Sequence, residues 1–259
     1  MCMLFGLSSK RIFDLKRPLK EFFAQGVNHP DGWGLCLYND KNTKPEVWKG
    51  MSSAHKSITL KKLIDSYLSG RTAIAHIRKK TYGEVSLSNC HPFILNVAGS
   101  DWVLAHNGSV RVPALRGPFY PQGETDSEKI LCRIANDLHK ANASTEDQII
   151  KSIDGSIRSL AKCGKLNLLI TNGKLMIVHT NCRNTLYYAN HPADNHTVAF
   201  CTDCFLIPGL YWRNVPMNTV LAFKEGKLIY EGQKHTGYYT PAPRYFDDLD
   251  SLDWRKMQG

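Results

Sequence analysis

Short strands, then two long amphipathic helices, then short strands again predict an α+β protein whose two sheets lie sandwiched between helical layers. The 259 residues suffice for one large domain with a sizeable core. No internal repeat and no linker interrupts them. A single domain over residues 1–259 is expected, with 236–259 as an extended C-terminal arm carrying Pro241, Pro243 and Asp247-Asp248.

Each element has its own signal. Residues 3–7 form a short apolar strand. A helix over 18–25 repeats Leu19, Phe22 and Phe23 at helical spacing, and Gly26 stops it. Residues 28–34 make a turn-forming run, with Gly32 and Gly34 flanking Trp33, that opens into a strand at 35–38. A strand at 46–49 and a helix over 59–68 follow, the latter with Leu60, Leu63, Ile64, Tyr67 and Leu68 on one side. Residues 72–78 are a strand ending in Arg78, and 102–105 a strand ending in His106-Asn107-Gly108-Ser109. After a Pro- and Gly-rich loop, 125–128 open the first long helix, with Ile130, Leu131, Ile134, Ala135 and Leu138 as its apolar face. The second runs over 144–160, with Ser144 as N-cap and Asp147 as the partner acid. Strands at 167–171, 175–179, 185–188, 197–201, 220–223 and 228–230 complete the chain, with hairpin turns at Asn172-Gly173 and Glu225-Gly226.

Composition narrows the function classes. Hydrophobic residues make up 42% and charged residues 22%, as in an ordinary soluble globular protein. No apolar run approaches the ~18 residues of a membrane span. The apolar N-terminus lacks a basic region ahead of it and soon meets Lys10-Arg11, so a cytoplasmic protein is expected. Eight cysteines without a secretory signal indicate reduced thiols, and Cys36, Cys132 and Cys163 read as buried small hydrophobes. Cys201 and Cys204 form the one C-x-x-C; with only Cys182 and His179 as loose companions it offers a redox pair before a zinc site, and no metal or cofactor is expected. The net charge of +10 comes from scattered pairs such as Lys16-Arg17, Lys61-Lys62 and Lys79-Lys80, without a nucleic-acid motif.

The chemistry centres on Cys2. Once the initiator Met is trimmed, Cys2 carries both a thiol and an α-amine whose pKa of roughly 7.7–8.0 suits a base near neutral pH. Such a base activates the thiol as a nucleophile. Arg78 offers a guanidinium for a bidentate grip on a carboxylate. Asn107-Gly108 offers a side-chain amide and an unhindered N–H, the components of an oxyanion hole. The run Gly123–Glu128 places a carboxylate where it could receive an ammonium group. Each also has a plainer reading: Arg78 as a surface ion-pair partner, Asn107-Gly108 as a turn, Asp126 as a helix cap. Together, behind a terminal Cys, they describe a site for an α-amino acid with a side-chain carbonyl.

The runs Met1–Gly6, Asp31–Gly34, Ala75–Arg78, Gly83–Val85, Asn89–Phe93, Ala105–Gly108, Gly123–Glu128 and Asn167–Gly173 carry a resemblance across nearly the whole chain. The sequence resembles a class II glutamine amidotransferase domain of the N-terminal nucleophile (Ntn) hydrolase superfamily, of the stand-alone YafJ type. The resemblance implies a four-layer αββα sandwich of two mainly antiparallel sheets. It implies Cys2 as nucleophile with its own α-amine as base, and Asn107 and Gly108 as oxyanion hole. It also implies Arg78 and Asp126 as clamps for the substrate α-carboxylate and α-ammonium, Thr81 and Gly83 in a loop closing over glutamine, and His91 as support for that loop. Two departures stand out: Lys79 follows Arg78 where synthase-linked relatives are often aromatic, and Cys201–Cys204 stands where relatives tend to read Ser-Thr-Glu-Pro. Three functions remain open. One is an amidotransferase acting on glutamine and passing ammonia to a synthase subunit, one a hydrolase of γ-glutamyl peptides resembling glutathione, and one a non-catalytic basic binding protein. A homodimer is compatible with each.

Overall fold

The computed structural model describes residues 2–39, 44–66, 68–81, 83–192, 194, 196–203 and 210–240. In chain order these form β1 (Met3–Asp14), α1 (Lys16–Ala24), β2 (Trp33–Tyr38), β3 (Glu46–Gly50), α2 (Ile58–Asp65), β4 (Ser69–Ile77), β5 (Phe93–Val97), β6 (Ser100–Val110), α3 (Asp126–Ala141) and α4 (Glu146–Leu160). After them come β7 (Gly164–Thr171), β8 (Leu175–His179), β9 (Tyr187–Asn190), β10 (Thr197–Cys201), β11 (Arg213–Asn214), β12 (Leu221–Lys224) and β13 (Lys227–Glu231). No helix among the described residues is long and apolar enough to cross a membrane.

The strands pair antiparallel into a seven-stranded sheet, β11-β9-β10-β1-β4-β2-β3, and a six-stranded sheet, β13-β12-β8-β7-β6-β5. Side-chain alternation with period two then assigns the faces. Phe5, Leu7, Leu35 and Ile77 pack outward against Leu19 and Phe22 of α1 and Leu60 of α2. Leu104, Leu168 and Ile170 pack outward against Ile130 and Ile134 of α3 and Ile153 and Ile157 of α4. Between the sheets lie Leu4, Cys36, Ile74, Val103, Ala105, Leu169, Val178 and Phe200. The result is the expected αββα order of layers.

Several boundaries differ from the sequence expectation, each for a local reason. β1 continues to Asp14 because buried polar pairing replaces apolar alternation: Ser9 Oγ lies 2.7 Å from Thr197 Oγ1. Helix α4 is capped by Thr145, not Ser144. Thr145 accepts from the Gln148 N–H and Gln148 closes the box, while Asp147 pairs with Lys151 at 2.8 Å. Helix α2 ends at Asp65, and Tyr67 lies outside the described residues. Thr185 precedes β9, its hydroxyl engaged by Asn167 and the Cys182 carbonyl. Cys36 and Cys132 are buried, but Cys163 is partly exposed near the end of α4. Of the expected C-terminal arm, residues 236–240 lie against the second sheet's end through Tyr239 N–H to Asn181 O at 3.0 Å; 241–259 lie outside the described residues.

Two glycines make opposite demands. At Gly34 in β2 a Cβ would sit 1.9 Å from the His91 carbonyl oxygen, whereas at Gly155 in α4 it would meet nothing within 4 Å. Gly34→Ala is therefore expected to lower stability by several kcal/mol, as overpacking against backbone does. Gly155→Ala is expected to raise it by about 0.5–1 kcal/mol through helix propensity. Urea midpoints at constant slope measure both, and equal effects at the two positions would contradict this packing.

Candidate active site

The inner faces carry the site to one end of the sandwich. Leu4, Ile74, Ala105 and Leu169 belong to the inner layer. Two-residue steps from them lead to Cys2 on the first sheet, His76 and Arg78 at the end of β4, Asn107 on β6 and Asn167 on β7. The register brings these ends together: Met3 faces Ile77, and Asn107 faces Asn167. Apolar residues fill the middle of the sandwich, and the inner positions turn polar at this end.

Cys2 is held from both sheets. The Lys79 N–H donates to its Sγ at 3.4 Å, and Sγ lies 3.3 Å from the Lys79 carbonyl. From the opposite sheet, Asn107 Nδ2 donates to the Cys2 carbonyl at 2.6 Å. Burial pushes the Cys2 thiol above the ordinary cysteine range; the Lys79 hydrogen bond, the chain's terminal ammonium and Arg78 oppose that, while Asp126 adds to it.

Arg78 is buried, and its guanidinium donates to the Glu84 carbonyl at 3.1 Å. That carbonyl also accepts from Asn89 Nδ2 at 3.1 Å. Asn89 donates in turn to Glu124 Oε2 at 3.1 Å and accepts from the Glu124 N–H at 2.9 Å. Glu124 Oε2 further accepts from the Glu84 N–H at 2.9 Å, and these backbone and side-chain donors hold its carboxyl below the usual range. Two loops distant in sequence are thereby fastened to each other and to Arg78. Gly83, at φ +76°, belongs to this junction, its would-be Cβ 3.1 Å from Asn89 Nδ2. Thr81 is exposed, and no hydrogen bond among the described residues joins it to Cys2, Arg78 or Asn107.

The remaining residues sit where β6 meets α3. A Cβ on Gly108 would lie 1.9 Å from the Lys165 carbonyl oxygen, so only glycine fits between β6 and β7. Thr125, not Asp126, caps α3 by accepting from the Glu128 N–H at 3.3 Å. Asp126 is the first helical residue, and its Oδ2 accepts from the Val110 N–H at 2.7 Å. His106 ties these pieces together. Its Nε2 lies 3.0 Å from the Lys165 carbonyl, which can only accept, so Nδ1 accepts from Ser127 Oγ at 2.9 Å. Burial keeps this ring neutral. His91 is also buried, its ring 4.0 Å from that of His76 at a tilt of 31° and edge-on to Phe93 at 4.7 Å.

Cys2, Arg78, Asn107, Gly108 and Asp126 thus converge, Gly83 joins at the loop, and Thr81 does not. Asn89 and Glu124 stand in the runs that carry the family resemblance, yet their joining of two loops was not foreseen. Lys165, buried on the inner face, was missed as well. Cys201 is buried, and Cys204 lies outside the described residues. Among the described residues no group of three or more His, Cys, Asp or Glu is placed to hold a metal.

A four-layer sandwich of antiparallel sheets with polar side chains gathered at one end of its inner layer is the architecture of the Ntn hydrolases. Residues 1–207 match the family model of class-II glutamine amidotransferases, and the chain belongs to that family. It is 31% identical over 200 residues to a Haemophilus influenzae protein named as a glutamine amidotransferase, covering 74% of this chain and 67% of that one. It is 30% identical over 201 residues to Escherichia coli K12 YafJ, named likewise, covering 74% and 77%. The crystal structure of a glutamine amidotransferase from Pseudomonas aeruginosa superposes with a TM-score of 0.65 at 21% identity, over 88% of this chain and 100% of that one, a likeness of fold.

With its pKa raised, the Cys2 thiol of the chain that retains Met1 is neutral through neutral pH. Its alkylation by iodoacetamide, followed by mass spectrometry, is expected to keep accelerating above pH 8.5, the ordinary thiol value. A rate that levels off below pH 8 would contradict the burial described.

Proposed function

We propose that the protein cleaves γ-glutamyl amide bonds through a thioester on Cys2. The observation that carries this reading is the 2.6 Å hydrogen bond from Asn107 Nδ2 to the Cys2 carbonyl, which sets an amide donor beside the residue that bears the thiol. After Met1 is removed, the Cys2 α-amine takes the thiol proton and the sulfur attacks the γ-carbonyl carbon. Asn107 Nδ2 and the Gly108 N–H receive the negative charge that develops on the carbonyl oxygen. When the tetrahedral species collapses, the C–N bond breaks and the leaving amine takes the proton from the α-ammonium. Water, deprotonated by the same amine, then attacks the thioester, releases glutamate and returns the proton to sulfur.

The substrate's other end falls to two charged groups. Arg78 has five N–H donors, so it can grip an α-carboxylate while keeping its bond to Glu84. Asp126, anchored by one oxygen to Val110, presents its second oxygen to the α-ammonium. Gly83 contributes backbone at the tied loop; Thr81 enters only if that loop closes inward on binding. Cys2→Ala is expected to abolish hydrolysis. Arg78→Ala and Asp126→Ala should chiefly raise KM, each losing a contact of about 1.5–3 kcal/mol. Asn107→Ala should chiefly lower kcat, by about 10²–10³-fold. Steady-state kinetics with glutamine and γ-glutamyl amides separate these effects, and an Asn107→Ala variant altered only in KM would remove its assignment.

The terminal amine gives an independent test. An amide nitrogen has no basic lone pair, so a form with Met1 or a tag ahead of Cys2 should fold with an unchanged melting temperature and show no turnover. Mass spectrometry defines the terminus of each preparation. Equal hydrolysis by extended and trimmed forms would sink the proposal.

A further inference from the structure

Strand β8 ends at His179, whose partner on β7 is Leu168, so Leu166 lies beyond the paired stretch. Two side chains at that end of β8 bond its backbone instead. Asn181 Oδ1 accepts from the Leu166 N–H at 2.8 Å, and His179 Nδ1 lies 2.9 Å from the Leu166 carbonyl. Leu166 in turn faces Gly108 across the pair of β6 and β7. On the far side of His179 lies the C-terminal segment. His179 Nε2 is 3.0 Å from His235 Nε2, and the Gly237 N–H donates to His235 Nδ1 at 3.1 Å. Both rings are buried. The segment's main chain adds bonds from the His235 N–H to the Asn218 carbonyl at 2.9 Å and from the Tyr239 N–H to the Asn181 carbonyl at 3.0 Å.

The two ends of this relay are main-chain groups of fixed sense, and they dictate where each ring hydrogen sits. The Leu166 carbonyl can only accept, so His179 carries its hydrogen on Nδ1 and offers the lone pair of Nε2. The Gly237 N–H can only donate, so His235 receives it on Nδ1 and carries its own hydrogen on Nε2. The relay therefore runs from the Gly237 N–H to His235, from His235 Nε2–H to His179, and from His179 Nδ1–H to Leu166, with one hydrogen in each gap. A further proton has no gap left. On His179 Nε2 it faces the His235 N–H, and on His235 Nδ1 it faces the Gly237 N–H. Passing it along the relay only exchanges one collision for the other.

We propose that the two histidines form an acid-released latch, which holds residues 235–240 against the end of β7 while both rings are neutral and lets them go when either takes up a proton. The surroundings set the sign. His235 faces Asp154 and Arg158 of α4 and Lys162 just after it, and His179 faces His235. Burial is the largest influence on both rings and lowers their pKa, for His179 to about 3. Arg158 and Lys162 act on His235 in the same direction, against Asp154, while the bond to Leu166 opposes the shift at His179. A released ring regains the ordinary value of about 6.5, so the released state binds more protons than the latched one. The latch is therefore complete above about pH 6.5 and weakens as pH falls below it. It is independent of the chemistry proposed for Cys2.

NMR of the histidine ring nitrogens in isotopically labelled protein reads the relay directly. At about pH 7.5, well above the ordinary histidine value, His179 should be the Nδ1–H tautomer and His235 the Nε2–H tautomer. Amide hydrogen exchange, corrected for its intrinsic pH dependence, reads the segment. Protection of the Tyr239 N–H should fall by about 30-fold between about pH 7.5 and pH 5 if one ring takes up a proton, and by up to about 10³-fold if both do, while amides of β6 and β7 keep theirs. His235→Ala should show the low protection of Tyr239 at both pH values. The same tautomer on both rings would overturn the latch, as would a Tyr239 amide equally protected at the two pH values or still protected in His235→Ala. Protection lost in β6 and β7 in step with Tyr239 would mean release only by general unfolding, and would overturn it too. Should His235→Ala fail to fold, the tautomers and the wild-type exchange decide alone.

Discussion

Two antiparallel sheets face each other across one shared apolar layer, and the site depends on how that layer ends. Inner residues alternate strictly with outer ones, so a single register fixes every side chain that can point between the sheets. Where the inner faces run out of Leu, Ile and Val, the same positions carry Cys2, Arg78, Asn107 and Asn167. A shift of one residue in β1 or β6 would turn the thiol or the amide toward a helix layer. The core therefore stabilises the fold and aims the polar groups by the same geometry.

Beyond the strands, the site is assembled from hydrogen bonds that join distant segments. Asn89 is the central piece, bonding Glu84 and Glu124 together with its amide while Arg78 shares the Glu84 carbonyl. Glu124 receives only N–H donors there, which favours its charged form and keeps the two loops registered. The thiol faces the opposite balance. Burial favours its neutral form, so the thiol is not a standing thiolate, and the proposed mechanism requires a base within its reach.

Much of this was legible in the chain. Cys2, Arg78 and Asn107 stand at the ends of short apolar runs, where a change from alternating hydrophobics to polar residues is itself a signal. The layer order followed from the two helices set between strand-rich halves. What stayed hidden was pairing that leaves no periodic trace. β1 carries a buried serine past its apolar start because Ser9 meets Thr197, two residues far apart in sequence. The cap of α4 falls at Thr145 because adjacent Ser and Thr offer the same chemistry and only geometry decides between them. Asn89 with Glu124 is a contact between loops, and Lys165 is a lone lysine whose burial no local pattern announces. Thr81 is grouped with Gly83 through family likeness alone; its side chain is exposed.

The His106 ring has a mechanical consequence. It is a rigid strut of fixed length between Ser127, next to Asp126, and the Lys165 carbonyl, against which Gly108 is pressed. Helix α3, β6 and β7 are therefore braced as one block, and the spacing from Asp126 to the Gly108 N–H cannot drift without breaking a buried hydrogen bond. The loop at Gly83 and Glu84 is held by hydrogen bonds alone: the buried Arg78 and Asn89 side chains donate to the Glu84 carbonyl, and the Glu84 N–H donates to the exposed Glu124 carboxylate. One wall of the site is thus built of packed strands and a helix, and the other of hydrogen bonds that join two loops.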